Sequence, residues 1–229
     1  NNDFRSTLVN SSYVLNNTLT NGVATGKIPN TKIKWETDTK LDLGLDVRML
    51  NNKIDITADY FNDKRTDLLV GGVPISGING GYAPGSGSPT VNAGTVVNKG
   101  FEFSMNYKND SNKIKYSLGF NATTINNEVL EVKNSTGYIE SGSFGIGQLA
   151  PTRMEVGQPM GVFYGLQADG IFQNQAEINV HPSQTGLGSA TSPGDIRFKD
   201  INGDGAIDFK DRTYIGKPIA DFTLGFNVN

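Results

Sequence analysis

The stretch LDLGLDVRM, Leu41–Met49, decides the fold, because apolar and polar side chains alternate along it without interruption. Leucine, valine and methionine occupy the odd positions, and aspartate, glycine and arginine occupy the even ones. A period of two residues is typical of a β-strand with one apolar and one polar face. Nine residues also come close to the length that a tilted strand needs to cross a membrane.

The same alternation returns in four other segments of the chain. They are Ile54–Tyr60, Phe101–Tyr107, Ile114–Phe120 and Phe222–Val228. Short turns rich in asparagine, Leu50–Lys53 and Asn109–Asn112, join the first two pairs of strands. We therefore predict an all-β fold with about five antiparallel spanning strands.

The connections between these strands differ in length at the two ends of the predicted sheet. Residues 71–90 hold seven glycines and three prolines and predict a long loop. A second excursion runs from about 127 to 220, with short β segments predicted at Gly161–Leu166 and Ile171–Gln173. Residues 1–33 predict loop or a weak strand. Short turns at one end and long segments at the other are typical of an outer-membrane barrel.

A soluble β-sandwich would also alternate, but two features favour transmembrane strands of a partial barrel. Aromatic residues are predicted near strand ends, where a girdle would place them: Tyr60, Phe61, Phe101, Tyr107 and Phe120. The opposite face carries charge, which suits a wet lumen: Asp42, Asp46, Arg48, Glu102 and Lys115.

Composition excludes several classes of function. The 20 basic and 23 acidic residues give a net charge of −3, so no basic field points to nucleic acid. The absence of cysteine excludes disulfides, thiol catalysis and cysteine metal sites. No run of apolar residues is long enough for a transmembrane helix.

The stretch Asp200–Asp211 has the spacing of a calcium loop of the EF-hand type. Oxygen-bearing side chains fall at loop positions 1, 3, 5, 9 and 12, position 7 would offer a backbone carbonyl, and Gly205 stands at position 6. The predicted ligands of a structural Ca²⁺ are Asp200, Asn202, Asp204, Ala206, Asp208 and Asp211. Position 12 is Asp and not the usual Glu, so its reach is shorter; a turn that binds no ion is the alternative.

Several phrases, in one order, resemble a single family. They are Lys34–Thr37, Asn92–Gly94 with Asn98–Glu102, Gly157–Pro159, Phe163–Gly165, Asp169–Phe172, Pro193–Asp200 with Asp211–Thr213 and Ile215–Gly216, and Asp221–Phe222 with Gly225–Asn227. This set resembles the C-terminal barrel region of the SusC/RagA-type TonB-dependent outer-membrane transporters of Bacteroidetes. The resemblance runs from about residue 30 to the end of the chain.

The resemblance implies a barrel of about 22 strands in the bacterial outer membrane, plugged by an N-terminal domain. It also implies a SusD-like surface lipoprotein as lid, energy from the TonB complex, and oligosaccharides or peptides as substrates. Residues 1–229 would form part of one barrel domain, with hairpins at 34–126, an extracellular excursion at 127–220 and a strand at 221–229. No plug or TonB box is present, so we expect a piece of a longer polypeptide.

Two other classes stay open on the sequence. One is a soluble extracellular β-rich binding module with a dockerin-like calcium loop. The other is a fragment of a surface glycoside hydrolase, which needs a pair of carboxylates that no spacing here indicates. We expect no enzymatic activity. His181 is interpreted as a solvated loop side chain, Trp35 as a membrane-interface anchor and Tyr82 as a loop side chain.

Overall fold

The computed structural model describes residues 8–26, 28–71, 89–110, 113–134, 136–142, 145 and 148–229. The chain divides into two compact units. The first comprises Asn1–Ile139, Glu155–Gly157 and Asp221–Asn229, and the second comprises Glu140–Met154 and Gln158–Ala220. The predicted strands and the predicted excursion therefore belong largely to different units.

The first unit contains an antiparallel sheet of five long strands, which we call the wall. Its members are β3 (Thr37–Met49), β4 (Ile54–Val70), β5 (Val91–Asn109), β6 (Tyr116–Val132) and β13 (Phe222–Val228). Their order is β13-β6-β5-β4-β3, so each of these long strands pairs with the long strand that precedes or follows it along the chain. The all-β, antiparallel prediction is confirmed.

Register across the wall keeps each face uniform. One row pairs Val47 with Ile56, Ile56 with Met105, Met105 with Phe120, and Phe120 with Phe226. The adjacent row pairs Asp46 with Thr57, then Ser104, Asn121 and Gly225. Because strand side chains alternate between faces, the apolar row and the polar row lie on opposite sides of the sheet.

The turn between β3 and β4 is made by residues in the left-handed region. Leu50, Asn51 and Asn52 have φ of 55°, 54° and 61°, and the Lys53 N–H donates to the carbonyl of Met49 at 3.2 Å. Asparagine tolerates this conformation, whereas it costs leucine about 1–2 kcal/mol. The predicted turn at Leu50–Lys53 is confirmed; that at Asn109–Asn112 lies partly outside the described residues.

A separate hairpin occupies the N-terminal region of the same unit. β1 (Leu8–Leu15) pairs with β2 (Thr18–Thr25) through Asn16 and Asn17, whose φ values are 48° and 62°. Two successive residues with positive φ make the type I′ turn that suits a two-residue hairpin. The structure therefore shows two strands where the sequence predicted loop or a weak strand.

The buried core of the first unit lies at the end of the wall that carries the long connections. It consists of Leu68, Ala93, Val96, Val97, Val129, Val132 and Ile139. Near this end β4 contains an irregularity between Arg65 and Leu68, where Asp67 has φ of 56°. An extra residue of this kind shifts the alternation of the strand beyond it.

The second unit is built from short elements. A four-stranded sheet, which lies mostly within it, has the order β12-β9-β8-β7. Its strands are β7 (Tyr138–Ser141), β8 (Thr152–Glu155), β9 (Val162–Leu166) and β12 (Arg212–Gly216). A second pair is formed by β10 (Ala168–Ile171) and β11 (Ile196–Phe198). One helix, α1 (Gln175–Val180), and two 3₁₀ turns, Thr185–Leu187 and Phe209–Asp211, complete the unit.

Several predicted boundaries move. β6 begins at Tyr116, so Ile114 and Lys115 precede the strand, and it continues to Val132, past the predicted start of the excursion. The short strand predicted at Gly161–Leu166 is found as β9, and the one at Ile171–Gln173 is found slightly earlier, as β10. Most of the glycine-rich loop predicted at 71–90 lies outside the described residues.

Candidate functional site: barrel wall and acidic loop

One face of the wall is apolar over all five strands, and we call it the apolar belt. Its members are Leu41, Leu43, Leu45, Val47 and Met49; Ile54, Ile56, Ala58 and Tyr60; Phe101, Phe103, Met105 and Tyr107; Tyr116, Leu118, Phe120 and Ala122; and Phe222, Leu224, Phe226 and Val228. Many of these side chains are exposed, from 37% for Tyr116 to 71% for Phe226. From Leu41 to Met49 the belt runs about 26 Å along the strand, or roughly 20 Å along the membrane normal at a 40° tilt. This is close to the apolar band of an outer-membrane barrel.

Aromatic residues border the belt at both ends. Toward the long connections, Tyr60 pairs with Phe101, and the same row ends at Phe222. The next outward-facing row is polar except for Leu41, which pairs with Asn62; Asn62 pairs with Lys99 and Lys99 with Asn126. At the other end the rings of Tyr107 and Tyr116 lie 6.0 Å apart. Tyr107 and Tyr116 stand in successive rows, opposite Leu118 and Asn109. Aromatic residues at both ends of an apolar belt are typical of the girdles at the two membrane interfaces.

Two aromatic residues predicted for the girdle lie elsewhere. Phe61 occupies the polar face, where its ring covers Gly100 of β5 so closely that a Cβ there would clash. Phe120 lies within the belt, between Met105 and Phe226. The prediction was wrong for both residues. It rested on their distance from a strand end and did not use the alternation of side chains between faces or the register between strands.

The polar face of β3 and β4 carries a ladder of cross-strand charge pairs. Arg48 approaches Asp55 at 3.0 Å, Lys40 approaches Asp63 at 3.1 Å, and Arg65 approaches Asp38 at 3.3 Å. These are directly opposed residues in the register. Charged pairs of this kind match a water-facing surface and would be costly against lipid.

Acidic residues outnumber basic ones on this face. Asp42, Asp59 and Glu102 line a hollow of about 460 Å³ together with Lys40, Phe61 and Asp63. The predicted polar positions Asp42, Asp46, Arg48 and Glu102 all lie on this face, with Asp46 accepting a hydrogen bond from the Thr57 hydroxyl at 2.7 Å. An acidic wall disfavours anionic solutes near it by like-charge repulsion.

Two of the family phrases meet at the long-connection end of the wall. The Asn92 side chain accepts from the Lys34 N–H at 2.8 Å and donates to the carbonyls of Lys34 at 2.9 Å and Asp67 at 2.7 Å. Glu36 accepts from the Leu69 N–H at 2.8 Å. These bonds fix the chain entering β3 to the irregular end of β4, and we call this set the rim clamp.

The acidic loop Asp200–Asp211 is held by its own side chains. Asp200 accepts from the N–H groups of Gly203 at 2.7 Å and Gly205 at 2.9 Å. Asn202 accepts from the N–H of Asp204 and donates to its carboxylate, and Asp204 accepts from the N–H of Ala206 at 3.0 Å. The loop is thus a series of side-chain-to-backbone turns, which are local alternatives to regular structure.

Asp211 closes the loop from inside. It is fully buried, and its carboxylate accepts from the N–H groups of Ile201 at 2.9 Å, Asn202 at 3.3 Å and Asp208 at 2.9 Å. The Asp208 N–H, followed by those of Asn202 and Ile201 and by a contact with the Asp200 side chain, lowers the pKa of Asp211 despite burial. Asp208 in turn accepts from the Lys210 N–H at 2.7 Å and caps the 3₁₀ turn.

The structure brings only part of the predicted calcium set together. Asp200 and Asp211 are adjacent, but these two carboxylates, like the side chains of Asn202, Asp204 and Asp208, all accept from N–H groups of the loop. Ala206 forms a bridge with Ser183, and the next residue, Ile207, is fully buried. Within the described residues, no group of three or more His, Cys, Asp or Glu side chains is arranged to hold a metal ion. Calcium binding therefore stays a prediction.

Arg212 anchors the second unit next to this loop. Its side chain is only 8% exposed. It donates to the carbonyls of Ala150 and Tyr164 and approaches Glu140 at 3.5 Å. Arg153 lies 3.5 Å from the centre of the Tyr164 ring, so two guanidinium groups contact one tyrosine.

An apolar hollow of about 730 Å³ opens beside Arg212. Its lining includes Leu149, Phe163, Phe209 and Ile215. Because three acceptors already occupy the guanidinium of Arg212, the hollow offers apolar contact rather than a charged anchor.

Two further family phrases pair with each other in the second unit. The Phe172 N–H donates to the Asp195 carbonyl at 3.0 Å, and the Gly194 N–H donates to the Phe172 carbonyl at 2.8 Å. Phe172 is buried, and Arg197 donates to the Asp169 carbonyl at 2.7 Å, over Gly170. The phrases around Asp169–Phe172 and Pro193–Asp200 thus serve to fold the excursion.

The remaining sequence interpretations have mixed outcomes. His181 is not simply solvated. Its ring packs edge-on against Phe172 at 5.1 Å, and its backbone N–H caps the end of α1. Trp35 is exposed, and Tyr82 lies outside the described residues. None of the helices in the described ranges is long and apolar enough to cross a membrane, a finding that concerns helices alone.

An apolar belt between aromatic residues, with a charged opposite face, defines a segment of antiparallel barrel wall. The sequence agrees, because the profile of the family described as TonB dependent receptor-like, beta-barrel matches residues 3–227. The chain belongs to this family, and the SusC/RagA-type resemblance is confirmed.

Individual relatives give the same result. TonB-dependent receptor P3 of Formosa agariphila is 34% identical over 209 residues, which cover 90% of this chain and 20% of that protein. TonB-dependent receptor SusC of Bacteroides thetaiotaomicron is 30% identical over 205 residues, covering 86% of this chain and 18% of that protein. The chain spans about a fifth of the length of these relatives.

Solved structures show the same fold. The structure of the RagAB peptide transporter matches 99% of this chain and 22% of its own chain, with a TM-score of 0.69 and 19% identity. The RagAB peptide importer in its open-open state matches with a TM-score of 0.69 and 17% identity.

Proposed function

We propose that this chain forms part of the wall and the extracellular face of a TonB-dependent importer in the bacterial outer membrane. The observation that carries the proposal is the apolar belt, which is continuous in register over five strands and backed by a charged face. The long connections would face the cell exterior and the short turns the periplasm, as in other outer-membrane barrels. The work of such a protein is gated binding and passage, not catalysis.

The substrates and partners follow from the family. We propose oligosaccharides or peptides as cargo; RagAB, a fold neighbour, is described as a peptide transporter. A SusD-like surface lipoprotein would cover the extracellular side, and the TonB complex would act through parts of the polypeptide outside these residues. Outer-membrane lipid would cover the apolar belt.

The soluble binding module is not favoured. Its sheet would have to expose the whole belt to water, which far exceeds the apolar patch of an ordinary soluble monomer. Among the described strands, β3 and β13 each pair on one side only, and their other edges would also stay open.

The first test is where the natural polypeptide is found and what its mass is. Peptides from these residues should come from an outer-membrane band several times the mass of this 24.6 kDa chain, whose mobility changes on heating. A soluble band of about the mass of this chain would contradict the proposal.

The second test compares uptake of labelled oligosaccharides and peptides by wild-type cells, by a strain lacking the polypeptide and by a strain lacking TonB. Loss of uptake of the same cargo in both mutants supports an importer.

We propose Ca²⁺ as a structural ion of the acidic loop. The spacing of the oxygen-bearing residues and the adjacency of Asp200 and Asp211 support this ion. Binding would require the side chains of Asn202 and Asp204 to turn from their N–H partners toward the ion. Calorimetry on the intact folded protein should detect binding at millimolar Ca²⁺ or below, and Asp200→Asn should abolish it while Lys210→Met should not. Chelation should raise cleavage between about Ser135 and Pro218. Absence of binding, or cleavage unchanged by chelator, would contradict the proposal.

A further inference from the structure

Trp35 is a large side chain at the entry to β3 that the described residues leave uncovered. It is 86% exposed. Its neighbours on both sides belong to the rim clamp, through Asn92 on Lys34 and through Glu36 on the Leu69 N–H. Asn92 holds the backbone of Lys34, and Glu36 is tied through its side chain, so ordering the backbone around this indole should cost little on contact, as for the anchors of protein interfaces.

Lipid is not what covers it. The girdle row of the wall includes Leu43, and β3 begins six residues earlier, at Thr37. Six residues span about 20 Å along the strand, or roughly 15 Å along the membrane normal at a 40° tilt. Trp35 comes before Thr37 and therefore lies beyond the headgroup layer, which is about 6 Å thick. On the proposed barrel, this position argues against the interpretation of Trp35 as a membrane-interface anchor.

The free edge of β3 lies next to this residue. Among the described strands, β3 pairs with β4 on one side and with nothing on the other. A strand edge cannot stay open within the hydrocarbon, so a further strand must pair there. The relatives are about five times longer than this chain, which leaves enough polypeptide to supply it.

Strands of this wall extend far beyond the membrane at the long-connection end. β4 continues ten residues past Tyr60, to Val70, and β5 begins at Val91, ten residues before Phe101. A neighbour of similar length on the free side of β3 would pass Thr37 and reach Trp35. The contact between β3 and the strand on its free side is called the barrel seam. We propose that Trp35 anchors this seam, packed against the extracellular extension of that strand, in the same polypeptide. This inference rests on the proposed barrel.

The test uses the full polypeptide in outer membranes. A photo-crosslinking phenylalanine analogue at position 35 should give an intramolecular product, mapped to one segment of the same polypeptide outside these 229 residues. Trp35→Cys should react with a membrane-impermeant maleimide at least tenfold more slowly than Lys32→Cys, a control three residues away on the same exposed segment.

Three results would overturn the inference. They are equal labelling of the two cysteines, a crosslink to a surface lipoprotein or to lipid, and a crosslink to another part of these 229 residues. Heat-modifiable mobility of each variant separates this inference from the proposed function. An intact barrel with rapidly labelled Trp35→Cys refutes the seam alone, whereas loss of the outer-membrane barrel for the unmodified protein refutes the proposed function.

Discussion

Placing one charge on either side of the wall tests the assignment of its faces. Met105 and Ser104 are adjacent in β5 and point to opposite faces. The row of Met105 contains Val47, Ile56, Phe120 and Phe226, whereas that of Ser104 contains Asp46, Thr57, Asn121 and Gly225. Met105→Arg therefore places a charge on the apolar face, and Ser104→Arg places the same charge on the polar face.

The two arginine substitutions should differ sharply in their cost to the free energy of folding. Met105 lies two residues from Tyr107 and four from Phe101, or about 7 and 13 Å along the strand, and so within the hydrocarbon. Arginine at such a depth costs about 2–4 kcal/mol, a 30- to 900-fold change in the folding equilibrium. At Ser104 the same residue meets water and a surplus of carboxylates, so its cost should be near zero.

The assay is guanidinium unfolding of the full polypeptide refolded into phosphatidylcholine vesicles, followed by the mobility shift of the folded barrel. Met105→Leu serves as the apolar control and should behave like the unmodified protein. Equal destabilisation by Met105→Arg and Ser104→Arg, or a larger loss for Ser104→Arg, would refute the assignment of faces.

Three further changes probe the turn and the excursion. Arg212→Met should destabilise the second unit by about 2–3 kcal/mol, because buried carbonyls lose their donor; limited proteolysis should show faster cleavage within 140–220, with no change for the exposed Lys210→Met. Because the pKa of Asp211 is lowered in the folded protein, its hydrogen bonds stabilise the loop fully above the unfolded pKa of about 3.9, and this stability is lost as pH falls through the folded pKa. Cleavage of the loop by an acid-active protease should therefore rise below about pH 4. Asp211→Asn should abolish this pH dependence. Leu50→Gly should stabilise the folded barrel by about 1 kcal/mol, because it removes a leucine from the left-handed region, and Asn51→Gly should stabilise it less. The guanidinium midpoint measures both effects. An equal or larger stabilisation by Asn51→Gly would contradict the strain argument.

The sheet could be predicted because its physical cause is local. In Leu41–Met49 the apolar face repeats every two residues, and in antiparallel hairpins the length of a short turn fixes register. The N-terminal hairpin was missed although its turn was readable. Asn16 and Asn17 follow Leu15 and precede Thr18, and two adjacent asparagines accept the positive φ that a type I′ turn requires.

Other features could not be predicted from local pattern. Asn92 bonds to Lys34 across 58 residues, and no periodicity relates the two positions. The left-handed Asp67 interrupts the alternation of β4, so parity counted from Tyr60 fails beyond Arg65. Phe61 was placed in the girdle because it is aromatic, whereas its parity already put it opposite Gly100 on the polar face.

The family phrases prove to be structural partners of one another. Asn92 binds the backbone of Lys34, and Arg212 binds the carbonyl of Tyr164. Phe172 exchanges backbone bonds with Gly194 and Asp195. In these three cases one phrase supplies side chains or backbone groups to another phrase. Residues used in this way maintain the shape of the excursion and of the wall, and their donors and acceptors are already occupied. Phrase residues also line the two hollows described above, since Glu102 borders the acidic one and Phe163 and Ile215 border the apolar one.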